Sequence, residues 1–134
     1  MSINDLGSFP VDWEDARKNG AFTKVTDETS LKVVSGDKTP VLLSFRASSD
    51  CVHMGDMVIP AGGVGPRQTE YDTHEGDAVF YVSKGTVTFL LPKTHDVYEV
   101  HEKEYVFIPE NTQYKCINYA SALAKVIFII APGL

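Results

Sequence analysis

Basic charge is in short supply in this chain: twelve lysines and arginines stand against eighteen aspartates and glutamates, for a formal charge of −6. The basic residues are scattered, so the clustered cations that neutralise a phosphate backbone are missing and no nucleic-acid partner is expected. Cysteine is scarce as well. Cys51 and Cys116 lie 65 positions apart without a CxxC spacing, which points to free thiols rather than a disulfide or zinc site. Long hydrophobic runs are also absent. The longest, from Val126 to Ala131, is far too short to cross a bilayer, and the first residues lack the basic-then-apolar order of a signal peptide. A cytoplasmic protein with no membrane contact is the expectation.

What remains is the composition of an ordinary globular domain. The chain has 134 residues, of which 43% are hydrophobic and 22% charged, enough for one core and too apolar for disorder. Residues 12–19 begin with a capping aspartate, place acids before bases, and stop at Gly20, so they predict a short helix. From Leu31 onward, short runs rich in valine, isoleucine, phenylalanine and tyrosine alternate with turn residues. Strands are expected at 31–34, 40–46, 54–59, 68–74, 78–83, 86–91, 97–100, 105–108, 113–118 and 124–130. The organisation is therefore a lead-in over residues 1–30 and an all-β barrel over 31–134, with no repeat or linker between them.

Successive strand residues point to opposite faces, so alternation groups the side chains that could share an interior. Glu70, Asp72 and His74 fall on one face of an expected strand, Ala78, Phe80 and Val82 on one face of the next, and Tyr114, Cys116 and Asn118 on one face of a later one. Carboxylates, an imidazole and a phenol can converge there. An imidazole titrates near neutral pH and a neighbouring carboxylate orients it, which suits general acid–base chemistry. The same groups could equally satisfy one another in a barrel mouth, and Tyr114 could simply pack in the core. His53, His95 and His101 fall in segments that look like exposed turns.

Two stretches carry a resemblance to a known family. PAGGVGPRQTEYDTHEGDAVFYVSKG has the glycine-proline lead-in, polar strand and closing Gly85 of the first cupin motif, and EYVFIPENTQYKCIN places Pro109 and Asn118 at the spacing of the second. The segment from Pro60 to Asn118 thus resembles the cupin superfamily, which implies a single-domain jelly-roll barrel preceded by the short helix. The family's metal ligands are largely replaced. Its two first-motif histidines fall on Asp72 and His74, its glutamate on Ala78, and its second-motif histidine on Tyr114, while Lys103 stands in place of a glycine.

The resemblance therefore implies a small-molecule enzyme of the cupin type whose chemistry is metal-independent: isomerisation, cyclisation or elimination, in a biosynthetic setting. His74, Asp72, Tyr114 and Glu70 are the candidate catalytic residues. Arg67, Phe80, Val82, Cys116, Asn118 and Phe128 are the candidate substrate-binding residues, with Arg67 open to a surface ion pair instead. No cofactor is favoured. If a divalent metal (iron, manganese, nickel or zinc) binds, Asp72, His74 and Tyr114 would hold it in a dioxygenase or lyase. A second resemblance, of PENTQYKCIN to the late barrel segment of the centromere protein C dimerisation domain, implies a non-catalytic homodimer module. A homodimer is expected on either reading, since jelly-roll edges need cover, and the VLLSF and AKVIFIIA runs are candidates for packing between subunits or, equally, for inner strands of a sheet.

Overall fold

Asp12 opens the first element by capping it. Its carboxylate accepts from the Asp15 N–H at 3.0 Å, Glu14 and Asp15 fill the first turn, and Arg17 and Lys18 the last, giving helix α1 over Trp13–Lys18. Gly20, at φ +61°, ends it. A 3-10 turn follows over Asp27–Thr29, in which Thr26 and Thr29 exchange side-chain and backbone hydrogen bonds. The computed structural model describes residues 7–36, 38–65 and 71–134.

Ten strands then run β1 Leu31–Ser35, β2 Val41–Ser48, β3 His53–Ile59, β4 Val64–Gly65, β5 Asp77–Lys84, β6 Val87–Leu91, β7 Asp96–Val100, β8 Tyr105–Ile108, β9 Lys115–Ile117 and β10 Ala124–Ala131. They form two antiparallel sheets, one ordered β1-β2-β3-β10-β5-β8 and the other β4-β9-β6-β7. The core lies between them. Ala78, Phe80 and Val82 of β5 alternate inward with Ala124, Val126, Phe128 and Ile130 of β10, all at most 4% exposed. They meet Val87 and Phe89 of the smaller sheet in one hydrophobic cluster. The VLLSF and AKVIFIIA runs are thus interior strands of the larger sheet, and their inward residues build the core of this chain.

Two local expectations need correction. The strand expected over 68–74 does not form among the described residues. Residues 66–70 lie outside them, and of 71–74 only Asp72 pairs, in a single bridge with Tyr114. The chain leaves the ladder there because the His74 carbonyl accepts from the Asn111 N–H at 2.8 Å, turning the backbone toward the 109–112 turn. His53 is the second correction: it is buried on β3 and shares a hydrogen bond with Ser48 instead of meeting water. Burial lowers its pKa, partly offset by a hydrogen bond to the Pro132 backbone and by the Glu14 charge. His95 and His101 are exposed as expected. No helix among the described residues is long and apolar enough to cross a membrane.

Candidate active site

The larger sheet leaves an opening between β1, β2 and the 71–74 segment that leads to a cavity of about 350 Å³. Its walls are apolar: Leu43 and Phe45 of β2, Met57 of β3, Phe80 of β5, and Phe128 and Ile130 of β10. Phe80 holds the centre. Its ring packs edge-on against Tyr114 at 5.4 Å and Phe128 at 6.2 Å, and tilts against Phe89 at 5.6 Å. Phe45 meets Phe128 edge-on at 5.6 Å. Edge-to-face rings of this kind pack densely, so the walls present a fixed shape to an occupant.

Polarity is concentrated on one side, where Asp72, Thr73, His74 and Tyr114 line the cavity. The Asp72–Tyr114 bridge is doubly hydrogen-bonded, Asp72 N–H to the Tyr114 carbonyl at 2.8 Å and Tyr114 N–H to the Asp72 carbonyl at 3.0 Å. Directly paired residues send their side chains to the same face, so this bridge is what brings the carboxylate and phenol together. His74 Nε2 shares a hydrogen bond of 2.6 Å with Tyr114 Oη. His74 is half-buried and faces the cavity, whereas Tyr114 has no exposed surface. The histidine is therefore the more open of the two to an occupant, and the tyrosine hydroxyl is engaged with it.

Of the other expected binding residues, Phe80 and Phe128 line the cavity. Val82, Cys116 and Asn118 share the inward direction but do not line it, being fully buried deeper in the barrel. Asn118 is fully engaged in the fold: its Nδ2 donates to the Ile59 and Ala122 carbonyls at 2.9 and 2.8 Å, and its Oδ1 accepts from the Ala120 N–H at 3.0 Å. Burial, and secondarily the Asp72 charge, push the Cys116 thiol well above its ordinary pKa, so it stays protonated. Glu70 and Arg67 lie outside the described residues. Leu43, Phe45, Met57 and Ile130 were not anticipated, although alternation along their strands would have given them.

Among the described residues no group of three or more histidines, cysteines, aspartates and glutamates is placed to hold a metal ion. No cation lines the cavity among them either; the Lys115 ammonium lies 4.8 Å over the ring of Tyr71, which does line it.

No protein-family model matches the chain, and no curated protein matches it in sequence. Solved structures do match it in shape. The polyketide cyclase RemF from Streptomyces resistomycificus is 16% identical, with a TM-score of 0.65 over 83% of this chain and 80% of that one. A predicted oxalate decarboxylase from Thermotoga maritima is 15% identical, with a TM-score of 0.66 over 81% of this chain and 98% of that one. A cupin with a double-stranded β-helix fold from Methanocaldococcus jannaschii is 18% identical, with a TM-score of 0.62 over 83% and 91%. At these identities the likeness is one of architecture, and it agrees with the two motif-like stretches around Gly85 and Pro109: the chain has the cupin fold, a double-stranded β-helix.

Proposed function

We propose that the protein is an enzyme that binds an uncharged, mostly apolar carbonyl compound in the barrel and moves a proton on it, with His74 as the base. The observation that carries this reading is the His74–Tyr114 hydrogen bond, 2.6 Å long, on the polar side of an otherwise apolar cavity. Apolar walls exclude water and favour a hydrophobic substrate body. A carboxylate on the polar side disfavours an anionic one.

The step is the breaking of a C–H bond beside the carbonyl. The proton passes to the His74 ring, and the electron pair moves into an enolate. Return of the proton to another carbon gives isomerisation, loss of a β-substituent gives elimination, and attack on a second carbonyl gives cyclisation. Tyr114 positions the base throughout. Its hydroxyl donates to Nε2 of the neutral ring when the tautomer requires, or accepts from an Nε2–H, so the ring keeps its orientation as it gains and loses a proton.

The described donors do not fit the metal centre that cupin relatives often carry. Ala78 offers no donor atom, and the 2.6 Å between His74 Nε2 and Tyr114 Oη is a proton-sharing distance. Two ligands at about 2.1 Å from one cation, set at right angles, stand about 3 Å apart. No step of the proposed reaction runs through a metal.

The test is exchange of solvent deuterium into the position beside the carbonyl, followed by NMR over a panel of aromatic and aliphatic diketones first screened by thermal shift. At least one should exchange at a rate that EDTA leaves unchanged and that His74→Ala lowers by about 100-fold or more. Exchange that survives His74→Ala, or that chelation abolishes, would overturn the assignment.

A further inference from the structure

Among the described residues, three other than glycine hold the left-handed backbone conformation that favours glycine: His95, Lys103 and Asn111, at φ +59°, +69° and +61°. His95 lies in the exposed turn between β6 and β7. The other two flank β8 and make the same kind of bond. Lys103, before the strand, donates its N–H to the Val82 carbonyl of β5, and Asn111, after it, donates to the His74 carbonyl, both at 2.8 Å. Val82 is a core residue of the barrel, whereas His74 borders the cavity. One conformation thus serves the fold at the start of β8 and the candidate base at its end.

The bond to His74 runs from the Asn111 main chain, while the Asn111 side chain is exposed. Pro109 to Thr112 form a four-residue turn, closed by the Thr112 N–H on the Pro109 carbonyl at 3.3 Å. A left-handed third residue in such a turn goes with a central peptide plane turned over relative to the common turn. Here that plane carries the Asn111 N–H, so the conformation is what aims it at His74. A β-branched residue at this position favours negative φ, which turns the plane back and points the N–H away.

The rest of the loop is pinned independently. Asp77 Oδ1 accepts from the Glu110 N–H at 3.0 Å, and Gly76 lies so close to Ala131 that a Cβ there would overlap its carbonyl. Upstream, the bridge between Asp72 and Tyr114 holds the chain. Between these anchors the His74 main chain is held by Asn111 and its ring by Tyr114 Oη at 2.6 Å.

We propose that Asn111 is a positioning residue: its left-handed backbone sets the His74 main chain at the height where the imidazole meets both Tyr114 and an occupant of the cavity. Displacing a reacting group by about 1 Å can cost about 100-fold in rate. The kinetic half of the proposal rests on the reading of His74 as the base; the placement of the ring is observable without a substrate.

Asn111→Val tests it against two companions. Asn111→Gly adopts the left-handed conformation freely, and Lys103→Val strains the equivalent turn at the other end of β8. The readouts are the His74 Nε2 resonance, by nitrogen NMR on labelled histidine, and the kinetics of solvent-deuterium exchange into the carbonyl substrate. Asn111→Val should shift the resonance and lower kcat by about 10-fold or more, with KM within about twofold of the wild type. Asn111→Gly and Lys103→Val should match the wild type in both, although Lys103→Val loses stability to urea as Asn111→Val does. Asn111→Ala carries the same expectation as Asn111→Val with a milder change, and decides the matter if the valine variant does not fold. An unshifted His74 resonance in folded Asn111→Val would overturn the proposal, as would an equal shift in Asn111→Gly or Lys103→Val. If no carbonyl compound exchanges even with the wild type, the chemistry assigned to His74 fails, and the resonance alone still decides what Asn111 does.

Discussion

Tyr114 and Asn118 stand on the same face of one stretch of chain, four residues apart, and behave as opposites. Both are fully buried and both are hydrogen-bonded. Asn118, at the sealed end of the barrel, directs every side-chain bond to backbone: the Ile59 and Ala122 carbonyls and the Ala120 N–H. Tyr114, about 13 Å along the strand at the open end, directs its hydroxyl to a side chain, His74, that borders a cavity. One end uses its polar group to close loops, and the other uses it to hold a group that can still do something. The difference teaches that burial and hydrogen bonding alone do not mark a functional residue; what matters is whether the partner is backbone or a side chain with a free approach.

The comparison breaks most visibly at the sealed end. In Asn118→Ala, the buried Ile59 carbonyl and the part-buried Ala122 carbonyl and Ala120 N–H lose their partner at once. A buried group left unsatisfied costs about 1 to 3 kcal/mol, and the two groups nearer the surface recover part of their loss from water, so a loss of about 2 to 3 kcal/mol is expected. Urea denaturation measures it. A loss below about 1 kcal/mol would mean that the 59–63 and 118–122 loops are held by their backbone bonds alone, which include Gly62 N–H to the Asn118 carbonyl at 2.8 Å.

The sequence showed which face these residues take and hid how deep they lie. Alternation put Tyr114, Cys116 and Asn118 together, correctly, because the period of a strand is fixed by its backbone. Depth along the barrel is set by where distant strands end, and those contacts are not written in any local window. For that reason Val82, Cys116 and Asn118 were expected at the binding surface and are found below it, while Phe45, Met57 and Ile130 went unremarked. The barrel itself was legible from the spacing of short apolar runs, helix α1 from Asp12 and Gly20, and the hairpin from Gly85, whose φ is +78°. Over the described part of the expected 68–74 strand, residues 71–74, the turn toward Asn111 overrides the strand-like composition of the segment. His53 was misread because Ser48, its partner, sits across a β-hairpin.

At the open end the expected loss is of function more than stability. Tyr114→Phe removes a single hydroxyl whose partner, His74, can turn to water in the cavity, so stability should fall by only about 1 kcal/mol. The imidazole then lacks the Tyr114 bond that holds its orientation. Nitrogen NMR on specifically labelled histidine should show a shifted Nε2 resonance for His74 in the variant, with deuterium exchange on the confirmed substrate lowered by about 10-fold or more. A stability loss as large as that of Asn118→Ala would place Tyr114 with the structural residues and dissolve the contrast.

Cys116, midway between the two, sharpens the comparison by the smallest effect. Its thiol pKa is raised, by burial first and by the Asp72 charge second, from an ordinary value of 9.0. Below that value the thiol is protonated in both folded and unfolded chains, and wild type and Cys116→Ala should differ by a constant packing cost. Above it the unfolded chain releases the proton while the folded chain keeps it. Wild-type stability then falls relative to the variant by up to about 1.4 kcal/mol per pH unit, until the folded thiol titrates in turn. Denaturation curves for both proteins between about pH 7 and pH 10.5 should therefore converge at the alkaline end, because Cys116→Ala has nothing there to ionise. Parallel stabilities across the range would mean that water reaches the thiol in the folded chain. The cavity would then extend past Tyr114 toward Asn118, and the layer of Phe80, Phe89 and Cys116 that divides the open end from the sealed one would not be dry.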